Sequence, residues 1–437
     1  MKKEKTLKIE TNWDNVLVPA LRRCQRSLLI EVNAQSGTHE ELDGSSPINL
    51  ALVIDRSGSM HGRRLEAAKT AALGISKRLG VLDRLSLVSF DHEVTRHFAN
   101  LAMNPEGLEQ AQTTLMDLHP RGSTNLGGGW FEGAACIAER IDRSDLNEGH
   151  VLLLSDGMAN KGVTNPDLLR NHAEELALRG IQTSTIGIGE NYSPLQLDAL
   201  AEGGQGRLHD AETSNDIIDV VLGELGEIRK KAAQDVQLIV KIPEGVKLEI
   251  LTEVPVSQIG DVLQISLGTV LEGRKRPIAV LAEIPSYASG EILPFEMSLT
   301  WRDVESGRKC CSDPLQSKLM VVPSAEVFEE DRDIGVVGQI ADLWEATLAY
   351  RAMLFNERDD LEGASNLYQE SLFKFSKLVR ILPDSDFRIQ RLERAQSKVA
   401  RHWSGRSKRE ALAISKKQML NELDLRKRDM GKWHDRL

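Results

Sequence analysis

Leu50-Ala51-Leu52-Val53-Ile54-Asp55-Arg56-Ser57-Gly58-Ser59 is the stretch around which this chain is organised. Its apolar half has no polar alternation and reads as a strand buried on both faces, and Arg63 to Leu79 then reads as a helix. Ligands of open α/β sheets sit outside the carboxyl ends of the strands, where Asp55, Ser57 and Ser59 fall. Taken alone, Asp55 and Ser57 would read as helix caps, since Asp and Ser are favoured there. Two later stretches change that reading. Gly122-Ser123-Thr124-Asn125-Leu126 is a glycine-flanked hydroxyl loop entering a helix, and Val151-Leu152-Leu153-Leu154-Ser155-Asp156-Gly157 is a second buried strand ending in an aspartate. Asp55, Ser57, Ser59, Thr124 and Asp156 together make an octahedral set of hard oxygen donors, which suits Mg2+ better than Zn2+ and leaves Mn2+ or Ca2+ as other occupants.

The order D-x-S-x-S, then a threonine, then an aspartate resembles the metal-ion-dependent adhesion site of von Willebrand factor A domains, over roughly residues 48–230. The resemblance implies that Ser57, Ser59 and Thr124 touch the metal directly, while Asp55 and Asp156 act mainly through water. One octahedral position then remains for a partner's Asp or Glu.

With 437 residues the chain is too long for one ordinary core, and two or three domains are expected. A net charge of -10 argues against nonspecific nucleic-acid binding, which needs a clustered excess of Lys and Arg. Met1-Lys2-Lys3-Glu4-Lys5-Thr6 is charged without a following apolar run, and no stretch approaches the roughly 18 apolar residues of a membrane span, so a cytoplasmic protein without membrane contact is expected. Cys24, Cys136, Cys310 and Cys311 are too few and too irregular for a disulfide framework or a zinc site. Neighbouring Cys310 and Cys311 are either redox-active or ordinary thiols near a strand end.

Residues 1–35 read as strands that need a partner sheet, and a polar stretch from Gln35 to Ser46 follows. Residues 47–231 alternate strand and helix, as in a doubly wound, mostly parallel α/β sheet of Rossmann type. No nucleotide loop is present there: Gly187-Ile188-Gly189 lacks the dinucleotide fingerprint, and Gly127-Gly128-Gly129 reads as letting the backbone turn closely beside Thr124. Residues 234–325 hold short strands separated by Pro, Gly and charged turns, as a β-sandwich would, and residues 1–35 either pair with it or extend the edge of the metal domain.

Residues 327–437 form long helical stretches. There Ala364, Leu367, Tyr368, Ser371, Leu372 and Phe375 recur at helical spacing, resembling a tetratricopeptide-like hairpin: either a docking surface for a second partner or an appendage packed on the sandwich. Residues 401–437 carry eleven Lys or Arg against five Asp or Glu, which reads as a solvated helix face or a partner contact. The order of segments resembles that of bacterial relatives of inter-alpha-trypsin inhibitor heavy chains and of calcium-activated chloride-channel regulators.

Two functions compete. The first is a non-enzymatic, metal-dependent protein-protein interaction module or scaffold. The alternative is a metal-dependent hydrolase or phosphatase-like enzyme, which would want a second carboxylate where Ser57 stands, and a base. Only His61 and Asp91 lie nearby in sequence. Asp91, after Ser89-Phe90, either lies behind the metal ligands or merely starts the turn to Val94. The expectation is therefore no enzyme.

Overall fold

Three strands open the chain in the computed structural model, which describes residues 6–34, 47–141, 148–189, 191–211, 213–304, 307–328 and 331–419: β1 (Leu7–Trp13), β2 (Leu17–Pro19) and β3 (Cys24–Ala34). The polar stretch read from the sequence at 35–46 lies outside the described residues.

Residues 47 to 230 belong to one of two compact units. In order this unit runs β4 (Asn49–Asp55), α1 (Arg63–Ser76), β5 (Arg84–Phe90), β6 (Val94–Ala102), α2 (Pro105–Met116), α3 (Leu126–Ile141), β7 (Gly149–Ser155), α4 (Pro166–Leu178), β8 (Ile181–Ile188), α5 (Pro194–Gly203), β9 (Gln205–Ala211) and α6 (Ser214–Arg229). Its six strands lie in the order β6-β5-β4-β7-β8-β9, all parallel except β6, which pairs antiparallel with β5. This is the doubly wound sheet anticipated from the alternation of elements. Leu50, Leu52 and Ile54 of β4 pack with residues of α1, α2 and α6, while Ala51 and Val53 face α3, α4 and α5, so one strand without polar alternation serves two cores.

The helices begin where their capping chemistry says. Asn104, Asn165 and Ser193 cap α2, α4 and α5, each with Pro at the first helical turn, and Thr213 with Asp216 forms a capping box on α6. The Gly127–Gly129 run differs from its sequence reading: it lies inside α3 rather than in a turn. A Cβ on Gly129 would stand 2.5 Å from the Phe90 ring, and one on Gly133 would stand 2.4 Å from Val53 Cγ2. These glycines bring α3 down onto β4 and β5, which carry the site.

The other unit combines β1–β3 with everything after Lys230. Its further strands are β10 (Lys231–Lys241), β11 (Lys247–Ile250), β12 (Val256–Ile259), β13 (Val262–Leu271), β14 (Lys275–Ile284), β15 (Ile292–Asp303), β16 (Lys309–Cys311) and β17 (Leu315–Val322). One sheet has the order β1-β3-β14-β11; the other runs β12-β13-β10-β15-β17-β2, with β16 on β15. Leu28, Ile30 and Val32 of β3 and Ile278, Val280 and Ala282 of β14 meet Leu238, Ile265, Phe295 and Leu299 of the facing sheet, which makes a sandwich. The N-terminal segment enters both layers, because β2 pairs in parallel with β17 while β1 and β3 stay with β14.

Helices α7 (Ile334–Glu357), α8 (Leu361–Val379), α9 (Ser385–Val399) and α10 (Gly405–Met419) follow. Val337, Ile340, Trp344 and Leu348 of α7 share a core with Leu29, Leu251, Ala279 and Leu281, the opposite face of the four-stranded sheet. Ala364, Tyr368 and Phe375 of α8 line that core too, with Leu367 and Leu372 at its edge, so the face read as tetratricopeptide-like is largely spent on packing. The basic stretch beyond Met419 lies outside the described residues. All four cysteines are free thiols, and no helix of the described residues is long and apolar enough to cross a membrane.

Candidate metal centre

Strands β4 and β7 are neighbours at the point where the strand order reverses, and both present their carboxyl ends there. That crevice is where open α/β sheets place ligands. Asp55 is the last residue of β4; the chain then passes through a short 3-10 turn, Gly58–Met60, anchored by buried Met60, before α1 begins. Asp156 follows the last residue of β7, and Thr124 sits two residues before α3. All five residues singled out from the sequence are thus held on three loops at one edge of one sheet.

The polar contacts are short and mutual. Ser57 Oγ lies 3.0 Å from Ser59 Oγ, and the Ser59 hydroxyl donates to Asp156 Oδ1 at 2.6 Å. Asp55 accepts the Ser57 N–H at 2.8 Å on Oδ1 and the Ser155 hydroxyl at 2.6 Å on Oδ2. The other Asp156 oxygen pairs with Arg64 Nη1 at 2.7 Å. Thr124 is placed by Asn160, whose side-chain oxygen accepts the Thr124 N–H at 3.1 Å and whose N–H donates to the Thr124 carbonyl at 3.2 Å. Gly157 leaves room for the hydroxyls: a Cβ there would lie 3.1 Å from Thr124 Oγ1 and 3.7 Å from Ser59 Oγ.

Asp55 and Asp156 are 0% exposed, Ser57 2% and Thr124 4%. Burial pushes the Asp55 carboxyl up to about 6, against the hydrogen bonds from Ser155 and Ser57, and the neighbouring Asp156 adds to the rise. Adjacent ligands of an octahedral ion with bonds of about 2.0–2.1 Å stand about 2.9 Å apart, close to the Ser57–Ser59 separation. The donors are all oxygen, which fits a hard divalent cation; Ser57, Ser59 and Thr124 could hold it directly, and the two aspartates lie beside them with oxygens already committed to hydrogen bonds.

Ser155, Arg64 and Asn160 escaped the sequence reading. Ser155 could have been suspected as a hydroxyl adjoining Asp156, whereas nothing in the sequence connects Arg64 with Asp156 or Asn160 with Thr124. A second group, Asp91, His92 and Glu93, brings its ligand atoms within 4.8 Å of one another. Its central carboxylate is already engaged: Asp91 Oδ2 meets Arg121 Nε at 2.7 Å and Arg56 Nε at 2.9 Å, and Oδ1 meets His92 Nδ1 at 2.9 Å. Burial opposes ionisation of Asp91, but the Glu93 N–H and the two guanidinium groups outweigh it and hold its pKa below the usual carboxylate value.

Residues 48–210 match the sequence profile of the von Willebrand factor type A domain. An uncharacterized protein of Synechocystis sp. is 26% identical over 360 residues, which is 79% of this chain and 82% of that protein. Inter-alpha-trypsin inhibitor heavy chain H4 of Sus scrofa is 32% identical over 173 residues, 38% of this chain but only 19% of the heavy chain. Among solved structures, a von Willebrand factor type A protein from Catenulispora acidiphila shares the fold with a TM-score of 0.65 at 16% identity, over 95% of this chain and 97% of that one. The ArnB paralog VWA2 from Sulfolobus acidocaldarius does so with a TM-score of 0.56 at 17% identity, over 95% and 98%. The unit that carries Asp55, Ser57, Ser59, Thr124 and Asp156 is therefore a von Willebrand factor type A domain.

Proposed function

We propose that this domain is a divalent-cation-dependent protein-interaction module, not an enzyme, with Ser57, Ser59 and Thr124 as direct ligands of Mg2+ and Asp55 and Asp156 acting through water. The observation that carries the reading is the commitment of both Asp55 oxygens, one to the Ser57 N–H and one to the Ser155 hydroxyl. A carboxylate held back in this way balances charge without filling a coordination position. A bound Mg2+ would supply a concentrated positive charge with one position open to a partner's Asp or Glu. Arg64, across Asp156, leaves the Ser59-bonded oxygen facing the hydroxyls.

Hydrolysis is disfavoured by the same geometry. Ser57 stands where an aspartyl-phosphate mechanism would want a second carboxylate, and Asp91 is occupied by two arginines rather than poised as a base. Calorimetric titration with MgCl2 tests the site: wild type is expected to give a binding isotherm that Thr124→Ala abolishes. A wild type without heat of binding, or a Thr124→Ala protein that matches it, overturns the reading. Metal-dependent phosphoester turnover that disappears in Thr124→Ala would favour the hydrolase instead.

A further inference from the structure

Asp91 gathers the loops that bear the proposed ligands. It is 0% exposed at the end of β5. Arg56, which sits between Asp55 and Ser57, reaches it from the first loop, and Arg121, three residues before Thr124, reaches it from the second; both guanidiniums meet the same Oδ2. The other oxygen accepts the Glu93 N–H at 2.8 Å and contacts His92. The backbone repeats the connection. Arg56 N–H donates to the Phe90 carbonyl at 2.8 Å, Arg121 N–H to the Arg56 carbonyl at 2.7 Å, Asn125 N–H to the Asp91 carbonyl at 2.8 Å, and Gly58 N–H to the Gly122 carbonyl at 3.0 Å. Gly122 has φ of 71° and lies so close to His92 that a Cβ would stand 2.2 Å from Nδ1, so the second loop is pressed against the Asp91 turn.

Resting on the metal-site reading above, we propose that Asp91 is the positioning residue of the site: its buried charge sets the spacing between the Asp55–Ser59 loop and the Thr124 loop. The physical reason is that Ser57 and Thr124 belong to loops 67 positions apart in sequence, so their separation is specified by contacts across the two loops: the backbone bonds at Arg56 and Gly58, and the one carboxylate that a side chain of each loop reaches. One carboxylate that faces two guanidiniums ties both loops to one point, whereas a neutral amide of the same shape would take that charge from the largely buried Arg56 and leave Arg121 held by Glu93 alone. Outer residues that orient metal ligands typically contribute about 10–100-fold to metal affinity.

The test titrates full-length protein with MnCl2 by calorimetry at a temperature where circular dichroism shows each variant folded. Asp91→Asn is expected to weaken Mn2+ binding by about 10-fold or more, while Glu224→Gln, which removes a buried carboxylate outside these loops, loses thermal stability without losing Mn2+ affinity. Equal affinity in Asp91→Asn and wild type, or an equal loss in Glu224→Gln, overturns the proposal. Should Asp91→Asn fail to fold, Arg121→Gln, which cuts one of the two arms at a half-exposed side chain, is expected to weaken Mn2+ several-fold, and unchanged affinity there overturns it too. Thr124→Ala separates the two claims: loss of binding there with none in the Asp91 and Arg121 variants removes only the positioning role, and a wild type that binds no Mn2+ removes both.

Discussion

Asp55 is wholly buried, and its described hydrogen bonds come from a hydroxyl and a peptide N–H. Its carboxyl is pushed from 3.8 to about 6, so between those values the folded chain keeps a proton that the unfolded chain has released. Stability therefore falls as pH rises through that window, and by pH 7 a shift of about two units corresponds to about 3 kcal/mol. Asp55→Asn is accordingly expected to stabilise the metal-free protein by about 1–3 kcal/mol at pH 7, to give little gain at pH 4, and to abolish metal binding. Thermal unfolding in chelator at the two pH values checks it, and a variant less stable than wild type at pH 7 would contradict the account. If the proposed metal site holds, the same residue weakens the fold without the ion and strengthens it with the ion.

At the scale of elements, α6 is tied to three strands by one side chain. Glu224, 4% exposed, accepts from Ser184 of β8, lies 2.7 Å from His209 Nε2 of β9, and stands 3.7 Å from His150 Nε2 of β7. Burial opposes its ionisation, but His209, His150 and Arg207 more than compensate, and its pKa lies below the ordinary carboxylate value. A depressed carboxylate contributes stability that is present above the unfolded pKa and is lost as pH falls towards the folded one. Glu224→Gln is expected to cost about 3 kcal/mol at pH 6, the low end for a broken buried pair because His209 and Arg207 keep some access to water, and the gap to wild type should narrow below about pH 4. Denaturant melts at pH 6 and pH 3 measure it; a gap that widens on acidification would be inconsistent. In sequence Glu224 looks like any polar residue of an amphipathic helix, and its role appears only when β7, β8 and β9 are laid side by side.

For the whole molecule, the two units draw on different parts of the chain. Among the described residues, the cores of the von Willebrand factor type A domain draw on residues from Ile48 to Ile228. A fragment of residues 47–230 is therefore expected to unfold cooperatively and, on the metal-site proposal, to show the Mn2+ affinity of the full chain. The sandwich behaves otherwise. β3 lies between β1 and β14, and Leu28, Ile30 and Val32 fill the sandwich core while Leu29 faces α7. Residues 231–437 alone should consequently fail to fold, with an exposed β14 edge and two incomplete cores. Thermal melts and amide dispersion of the two fragments decide this, and a cooperative transition in residues 231–437 alone would show that β1–β3 are dispensable. Truncation before Val327 would likewise uncover Leu29, Ala279 and Leu281, so loss of a partner in such a variant would report misfolding as readily as a docking surface on the helices.

The elements that hold Asp55, Ser57, Ser59, Thr124 and Asp156 were legible in the sequence because each is local: an apolar run ends, a carboxylate or hydroxyl follows, and a helix begins. The alternation from β4 to α6 was legible for the same reason, since burial on both faces of a parallel strand removes polar residues from it. Pairing was not legible. That β2 crosses to β17, that β3 is covered on both faces, and that the outer face of the four-stranded sheet is closed by α7 depend on contacts between residues some 300 positions apart. Arg56, Arg121 and Asp91 show the same limit within the site, for charged residues in loops carry no periodicity, and their convergence on one buried carboxylate is decided by where the strands put the loops. Sequence by itself determined which residues stand at the strand ends; only tertiary structure decided what holds them there, because that work is done by long-range ion pairs and close backbone approaches that leave no local pattern.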